Sequence, residues 1–166
     1  MGKTFNVLVL CTGNSARSIL GEMLFNHLGA GRIKAYSAGS KPAGQVNPVA
    51  IETLQKHGIP SEGARSKSWD EFNAGAVPPA PTFDFIFTVC GNAAAETCPV
   101  WPGHPSTAHW GIPDPTHVEP MEARRAAFEE AYQSLKTRIE AFLALPLETM
   151  TPQESVLAAR RIHIGE

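Results

Sequence analysis

The sequence has few cysteines, no long hydrophobic run and no excess of basic charge. Fourteen Lys and Arg residues stand against sixteen Asp and Glu, so the formal net charge of -2 argues against nucleic acid as a partner. The apolar run from Val7 to Leu10 is too short for a signal-peptide core or a membrane span. We therefore expect a cytoplasmic protein without membrane contact. Three cysteines are an odd number, which disfavours a structural disulfide framework and favours thiols that cycle.

The length of 166 residues and the hydrophobic fraction of 43% suit one compact domain with a sizeable core. We assign residues 1–145 to this domain and 146–166 to a C-terminal helical appendage. The appendage begins with Thr151-Pro152-Gln153-Glu154, which has the form of a capping box with proline at the first helical position. Its role is not indicated by the sequence.

Short apolar runs alternate with helical patterns along the chain. Strands are predicted at 5–10, 33–38 and 83–89, and helices are predicted after Cys11, from Asn47-Pro48, around Trp69 and from Pro120. The stretch from Gly91 to His117 is rich in proline and glycine and is interpreted as irregular. This alternation predicts an α/β fold, a doubly wound sandwich with a four-stranded parallel sheet. Its ligand site should lie beyond the carboxyl ends of the strands.

The first strand ends at a loop with anion-binding character, Cys11-Thr12-Gly13-Asn14-Ser15-Ala16-Arg17-Ser18. Small residues between the thiol and the guanidinium let backbone N–H groups and the positive end of the following helix converge on a tetrahedral oxyanion. Arg17 adds a bidentate fork. The same field is expected to lower the pKa of Cys11 and make it a nucleophile, with the Ser18 hydroxyl as donor to the thiolate. The alternative is that Cys11 only packs at a strand end and Arg17 is a solvated helix residue.

This eight-residue loop resembles the phosphate loop of the low-molecular-weight tyrosine phosphatases and of the arsenate reductases that share their fold. The resemblance extends to about Leu145. It implies a low-molecular-weight phosphatase-like fold and a late aspartate, followed by proline, as general acid. The segment His109-Trp110-Gly111-Ile112-Pro113-Asp114-Pro115 is similar to that part of the family, so Asp114 is the implied acid. Otherwise Asp114 is a turn residue.

The segment from Thr88 to Pro99 resembles the redox segment of thioredoxin-coupled arsenate reductases. The resemblance implies that Cys11 attacks arsenate, Cys90 attacks Cys11 to release arsenite, and Cys98 attacks Cys90 to leave a disulfide. It implies no organic cofactor, but an external thiol reductant, either thioredoxin or glutaredoxin with glutathione. Phosphate and sulfate are the expected substrate analogues. The alternative is that Cys90 and Cys98 are buried structural thiols.

Two other functions use the same loop: a low-molecular-weight protein tyrosine phosphatase, and a non-enzymatic oxyanion or redox sensor. Cys90 and Cys98 favour the reductase over the phosphatase, and Asp114 favours an enzyme over a sensor. No metal site is predicted. A zinc site from Cys98, His104 and His109 is disfavoured because seven residues separate Cys90 from Cys98, more than the usual two to four.

Two positions depart from the pattern of the family. Ala16 stands where some members have another cysteine, which suggests a relay of three thiols. Asn14 and Glu22 match residues of members that bind potassium, but the expected aspartate is absent near Ser66-Lys67-Ser68. The sequence leaves a bound potassium ion open. We interpret Lys67 as a solvated lysine, with a positive charge for this region as the alternative.

Overall fold

The structure is a computed structural model that describes residues 4–11, 13–39, 41–61, 63–72, 83–89, 106–110, 112, 115–116 and 118–164. The strands are β1 (Phe5–Cys11), β2 (Ile33–Gly39), β3 (Phe85–Thr88) and β4 (Ser106–His109). The α-helices are α1 (Arg17–Leu28), α2 (Pro48–Lys56), α3 (Met121–Leu143) and α4 (Pro152–Ile164). Two short 3₁₀ helices cover Trp69–Phe72 and Leu147–Thr149. None of the helices in the described part of the chain is long and apolar enough to cross a membrane.

The strands form one sheet in the order β2-β1-β3-β4, and every neighbouring pair is parallel. The α/β class is therefore confirmed. Strand β4 lies inside the stretch that was interpreted as irregular, so that interpretation was wrong for residues 106–109. The four residues Ser-Thr-Ala-His carry no apolar pattern, and their strand exists through its pairing with β3 at the edge of the sheet.

The central strand β1 is buried on both faces, as its nearly continuous apolar run predicts. Val9 faces helix α1, and a Cβ atom added to Gly21 would lie 3.1 Å from a methyl group of Val9. Glycine therefore allows the helix to approach the sheet closely. Leu8 and Leu10, on the other face of β1, are fully buried as well.

Local capping signals confirm two helix starts. The Asn47 side chain accepts a hydrogen bond from the N–H of Val49 at 2.9 Å and caps α2. The Thr151 N–H donates to the Glu154 carboxylate at 2.8 Å, and the Glu154 N–H donates to Thr151 Oγ1 at 3.1 Å. This reciprocal pair is the capping box that the sequence predicts for α4.

Helix α4 packs against the rest of the fold through a buried tryptophan. The Trp110 indole N–H, just beyond β4, donates to the carbonyl oxygen of Ala159 at 2.9 Å, and both residues are fully buried. The Trp110 ring also lies 4.1 Å from the ring of Phe87 between centroids. The domain boundary at residue 146 stays a prediction.

Candidate oxyanion-binding site

The loop between β1 and α1 turns two of its carbonyl groups outward. Gly13 O accepts hydrogen bonds from the N–H of Ala43 at 2.9 Å and from Ser66 Oγ at 3.1 Å. Ser15 O accepts from the N–H of Asn47 at 2.8 Å. In a trans peptide the N–H points opposite to the C=O, so the N–H groups that follow these carbonyls turn to the inner side of the loop. This arrangement suits a cradle for an anion at the start of a helix.

Asn14 fixes the shape of this loop. Its backbone has a φ of 46°, in the left-handed region that asparagine tolerates better than most residues, and its side chain is fully buried. The amide nitrogen Nδ2 donates to Ser18 Oγ at 2.7 Å and to Ser37 Oγ at 3.0 Å. The amide oxygen accepts from the N–H of Lys67 at 2.9 Å. The side chain therefore ties the loop to α1, to β2 and to the segment around residue 67.

Cys11 is buried at the end of β1, and the half-buried Arg17 begins α1. The Arg17 guanidinium donates from Nη1 to the carbonyl oxygen of Ile112 at 2.9 Å. The Val89 N–H donates to Leu10 O, and the Ile112 N–H donates to Val89 O, both at 2.9 Å. Val89, which precedes Cys90, therefore lies beside Leu10 of β1, and Ile112 lies beside Val89.

Four of the predicted site residues, Thr12, Cys90, Cys98 and Asp114, lie outside the described residues. Their roles stay predictions, as do those of the loop residues. Within the described part of the chain, no group of three or more His, Cys, Asp or Glu side chains could hold a metal ion. The zinc alternative involves Cys98 and His104, which are not described.

Lys67 is buried, so its interpretation as a solvated lysine was wrong. Its side chain is 6% exposed, and Nζ donates to Arg65 O at 2.9 Å and lies 3.7 Å from Glu22 Oε1 and 3.5 Å from Ser37 Oγ. Ser37 Oγ in turn donates to the Glu22 carboxylate. Lys67 is buried because it lies in an extended segment next to β2, where the Gly39 N–H donates to Lys67 O at 2.9 Å. This pairing of distant segments had no local signal in the sequence.

Burial acts on both charges of the Lys67–Glu22 pair. It raises the pKa of Glu22, while the positive charge of Lys67 and the hydrogen bond from Ser37 act in the opposite direction. It lowers the pKa of Lys67, while the negative charge of Glu22 opposes this change. Each charge therefore depends on the other for its stability in this position.

Known proteins resemble this chain over most of its length. The family model of the low molecular weight phosphotyrosine protein phosphatases matches residues 6–155. An arsenate reductase of Shouchella clausii is 34% identical over 137 residues, which cover 82% of this chain and 93% of that protein. The structure of an arsenate reductase in the phosphate-binding state has a TM-score of 0.68 and 27% identity, covering 85% of this chain and 98% of that chain.

A structure of the tyrosine phosphatase Wzb from Escherichia coli K30, in complex with sulphate, has a TM-score of 0.65. The match extends over 86% of this chain and 97% of the phosphatase chain. Its identity to this chain is 23%, so this likeness shows a common fold alone.

Proposed function

Because the chain belongs to the low molecular weight phosphotyrosine protein phosphatase family, we propose that it is an arsenate reductase that uses three of its own thiols. The observation that carries this proposal is the loop between Cys11 and Arg17, whose Gly13 and Ser15 carbonyls accept hydrogen bonds from outside the loop. By peptide geometry, the N–H groups that follow these carbonyls turn inward. Arsenate is a tetrahedral oxyanion that fits such a cradle. The arsenate reductases similar to this chain support the choice of substrate.

The first step joins sulfur to arsenic. The Cys11 thiolate attacks the As(V) centre of hydrogen arsenate, an As–S bond forms, the bond from arsenic to its hydroxyl group breaks, and that hydroxyl leaves as water with a proton from Asp114. Ser18 is the proposed donor to the thiolate. In support, its oxygen accepts a hydrogen bond from Asn14 at 2.7 Å, which leaves its own hydrogen for another acceptor.

The second step transfers two electrons. The Cys90 thiolate attacks the Cys11 sulfur, a Cys11–Cys90 disulfide forms, and the electron pair of the broken As–S bond reduces arsenic to arsenite. Cys98 then attacks the Cys90 sulfur, which releases the Cys11 thiolate and leaves a Cys90–Cys98 disulfide. The hydrogen bond between Val89 and Leu10 supports the attack of Cys90 on Cys11, because it holds the residue before Cys90 beside the strand that ends at Cys11.

The remaining disulfide requires an external dithiol or pair of thiols as reductant. We propose thioredoxin as this reductant, with glutaredoxin and glutathione as the alternative that the assay must compare. The cytoplasmic location stays a prediction.

A second candidate function is hydrolysis of aryl phosphates, which the match to the phosphatase family model favours. A phosphatase would use Cys11, Arg17 and Asp114 and would not need Cys90 or Cys98. The two functions therefore differ in their response to loss of the second and third thiols.

The test is the yield of arsenite in a single turnover, measured by rapid quench with thioredoxin present. The Cys98→Ser variant should form about one arsenite per enzyme and then stall with a Cys11–Cys90 disulfide, which mass mapping of peptides identifies. Cys11→Ser should form none, because its hydroxyl stays protonated at neutral pH. Replacing thioredoxin with glutaredoxin and glutathione identifies the reductant.

Sustained turnover by Cys98→Ser would contradict the relay, and arsenite production by Cys11→Ser would contradict the nucleophile. Rapid aryl phosphate hydrolysis by wild type and Cys98→Ser alike, without arsenite formation by either, would establish the phosphatase instead.

A further inference from the structure

A positive charge lies directly behind the oxyanion loop, among groups that would otherwise coordinate a monovalent cation. The Lys67 ammonium group is 2.9 Å from Arg65 O, 3.5 Å from Ser37 Oγ and 3.7 Å from Glu22 Oε1. Carboxylate, hydroxyl and carbonyl oxygens are hard ligands of the kind that alkali and alkaline-earth cations take. The ammonium group already uses these oxygens, so the residues present do not fit an additional potassium ion.

We propose that Lys67 is a positioning residue whose ammonium group replaces a bound monovalent cation and keeps the oxyanion loop in its binding conformation. The inference rests on the proposed function only in that the loop binds a tetrahedral oxyanion.

Two connections transmit the effect of Lys67 to the loop. Its backbone N–H donates to Asn14 Oδ1 at 2.9 Å, inside the loop itself. Its ammonium group neutralises Glu22, which accepts a hydrogen bond from Ser37, and Ser37 in turn accepts one from Asn14 Nδ2 at 3.0 Å. Both ends of the Asn14 amide therefore depend on groups that Lys67 holds in place.

Charge neutralisation matters because the loop must attract an anion. A Glu22 carboxylate without a cation would place a negative charge behind the anion site, where partial burial weakens screening by water. The Glu22–Lys67 pair removes this repulsion without a dissociable ion. Oxyanion binding by this protein should therefore not depend on potassium.

Solvent cations reach the Glu22 carboxylate, on one side of the position that the ammonium group occupies. A surface groove reaches Glu22 and is also lined by Met23, Asn26, His27 and Gly63. A potassium ion could enter along it and take up the oxygens that the ammonium group uses in the wild-type protein. Chemical rescue by potassium is therefore a direct readout of the proposed role.

The experiment measures binding of inorganic phosphate to the full chain by isothermal titration calorimetry at pH 8, in choline chloride and in potassium chloride of equal ionic strength. Wild type should bind equally in both salts. Lys67→Met should bind on the order of tenfold more weakly in choline chloride, because the charge of Glu22 is exposed to the anion, and potassium should restore much of the loss. Lys34→Met, at an exposed position of β2, is the matched control and should behave as wild type.

The double variant Glu22→Gln/Lys67→Met removes both charges and keeps the test valid if Lys67→Met does not fold. It should bind phosphate without any response to potassium, because no carboxylate remains to hold the ion. A potassium response in this double variant or in wild type would overturn the proposal. Unchanged phosphate binding by Lys67→Met in choline chloride would also overturn it. A protein with the expected salt pattern that forms no arsenite would refute the proposed function and leave this inference intact.

Discussion

Arg65 and Lys67, two residues apart, each form an ion pair with a glutamate. The two pairs differ in their N–O distance and in the burial of their side chains. Arg65 holds Glu71 with two short hydrogen bonds of 2.6 and 3.0 Å, and the two side chains are 60% and 43% exposed. Lys67 lies 3.7 Å from Glu22, and these side chains are 6% and 12% exposed. By distance alone the Arg65–Glu71 pair is the stronger interaction.

The burial of the Lys67–Glu22 pair reverses this order, so that its loss should cost more stability than loss of the Arg65–Glu71 pair. An exposed pair gains little because water and salt screen it, and it orders two long side chains. A buried pair has lost the hydration of both charges, so removal of either partner leaves the other uncompensated. The pKa directions reflect this difference in hydration. The hydrogen bond from Arg65 lowers the pKa of Glu71, whereas burial raises the pKa of Glu22. Burial and the hydrogen bonds attached to a pair, more than its N–O distance, decide its importance.

The largest effect on stability is expected from Lys67→Met. This change should lower the free energy of unfolding by roughly 3–5 kcal/mol, because it leaves the largely buried Glu22 carboxylate without a positive partner. Urea denaturation monitored by circular dichroism measures the loss. The double variant Glu22→Gln/Lys67→Met should be more stable than the single variant. A loss below about 1 kcal/mol for Lys67→Met would remove the distinction between the two pairs.

The half-buried carboxylate of Glu129, which has several partners, is an intermediate case. Glu129 accepts hydrogen bonds from Gln133, His57 and Lys56, and the His57 ring stacks on Tyr132 with 4.0 Å between centroids. Burial alone would raise the pKa of Glu129, but these hydrogen bonds outweigh it and lower the pKa to about 2. A carboxylate with a depressed folded-state pKa contributes stability above its ordinary value of 4.5, and this contribution is lost as the pH falls towards 2.

Glu129→Gln should therefore cost about 2 kcal/mol at pH 7 and progressively less as the pH falls from 5 to about 2.5. The measurement is the thermal unfolding midpoint of wild type and variant across this pH range. A difference between the two proteins that stays constant with pH would show that the Glu129 charge contributes nothing.

The smallest effect is expected from Arg65→Gln. Loss of this exposed pair should change stability by roughly 0–1 kcal/mol, and any effect should disappear in about 1 M sodium chloride. Urea denaturation at low and high salt measures both quantities. A salt-independent loss above about 2 kcal/mol would mean that the short distance, and not the burial, decides the strength of these pairs.

Features encoded by neighbouring residues were predictable from the sequence. The buried run of β1, the cap at Asn47 and the capping box at Thr151 each depend on residues within a few positions of one another, and all three are confirmed. Strand β4 was missed because four residues without an apolar pattern become a strand only by pairing with β3.

The hydrogen bonds that join Asn14, Ser37 and Lys67 behind the oxyanion loop could not be predicted for the same reason. Asn14 and Lys67 are 53 positions apart, and Ser37 and Lys67 are 30 apart, so no local pattern signals that they meet. Lysine is rarely buried without a partner, and its partner here could not be identified before the fold was known. The loop itself was recognisable because its residues are consecutive. The roles of Cys90, Cys98 and Asp114 stay predictions.

The hydrogen bond between Trp110 and Ala159 has a consequence for the order in which the protein is synthesised. These residues are 49 positions apart, so a growing chain carries the indole for a long interval before the ribosome adds the carbonyl that receives its N–H. Until then water is the acceptor of the indole N–H, so this contact between α4 and the edge of the sheet forms only after residue 159 has been added. The hydrogen bond that joins the start and the end of this segment is therefore made after all four strands of the sheet have been synthesised.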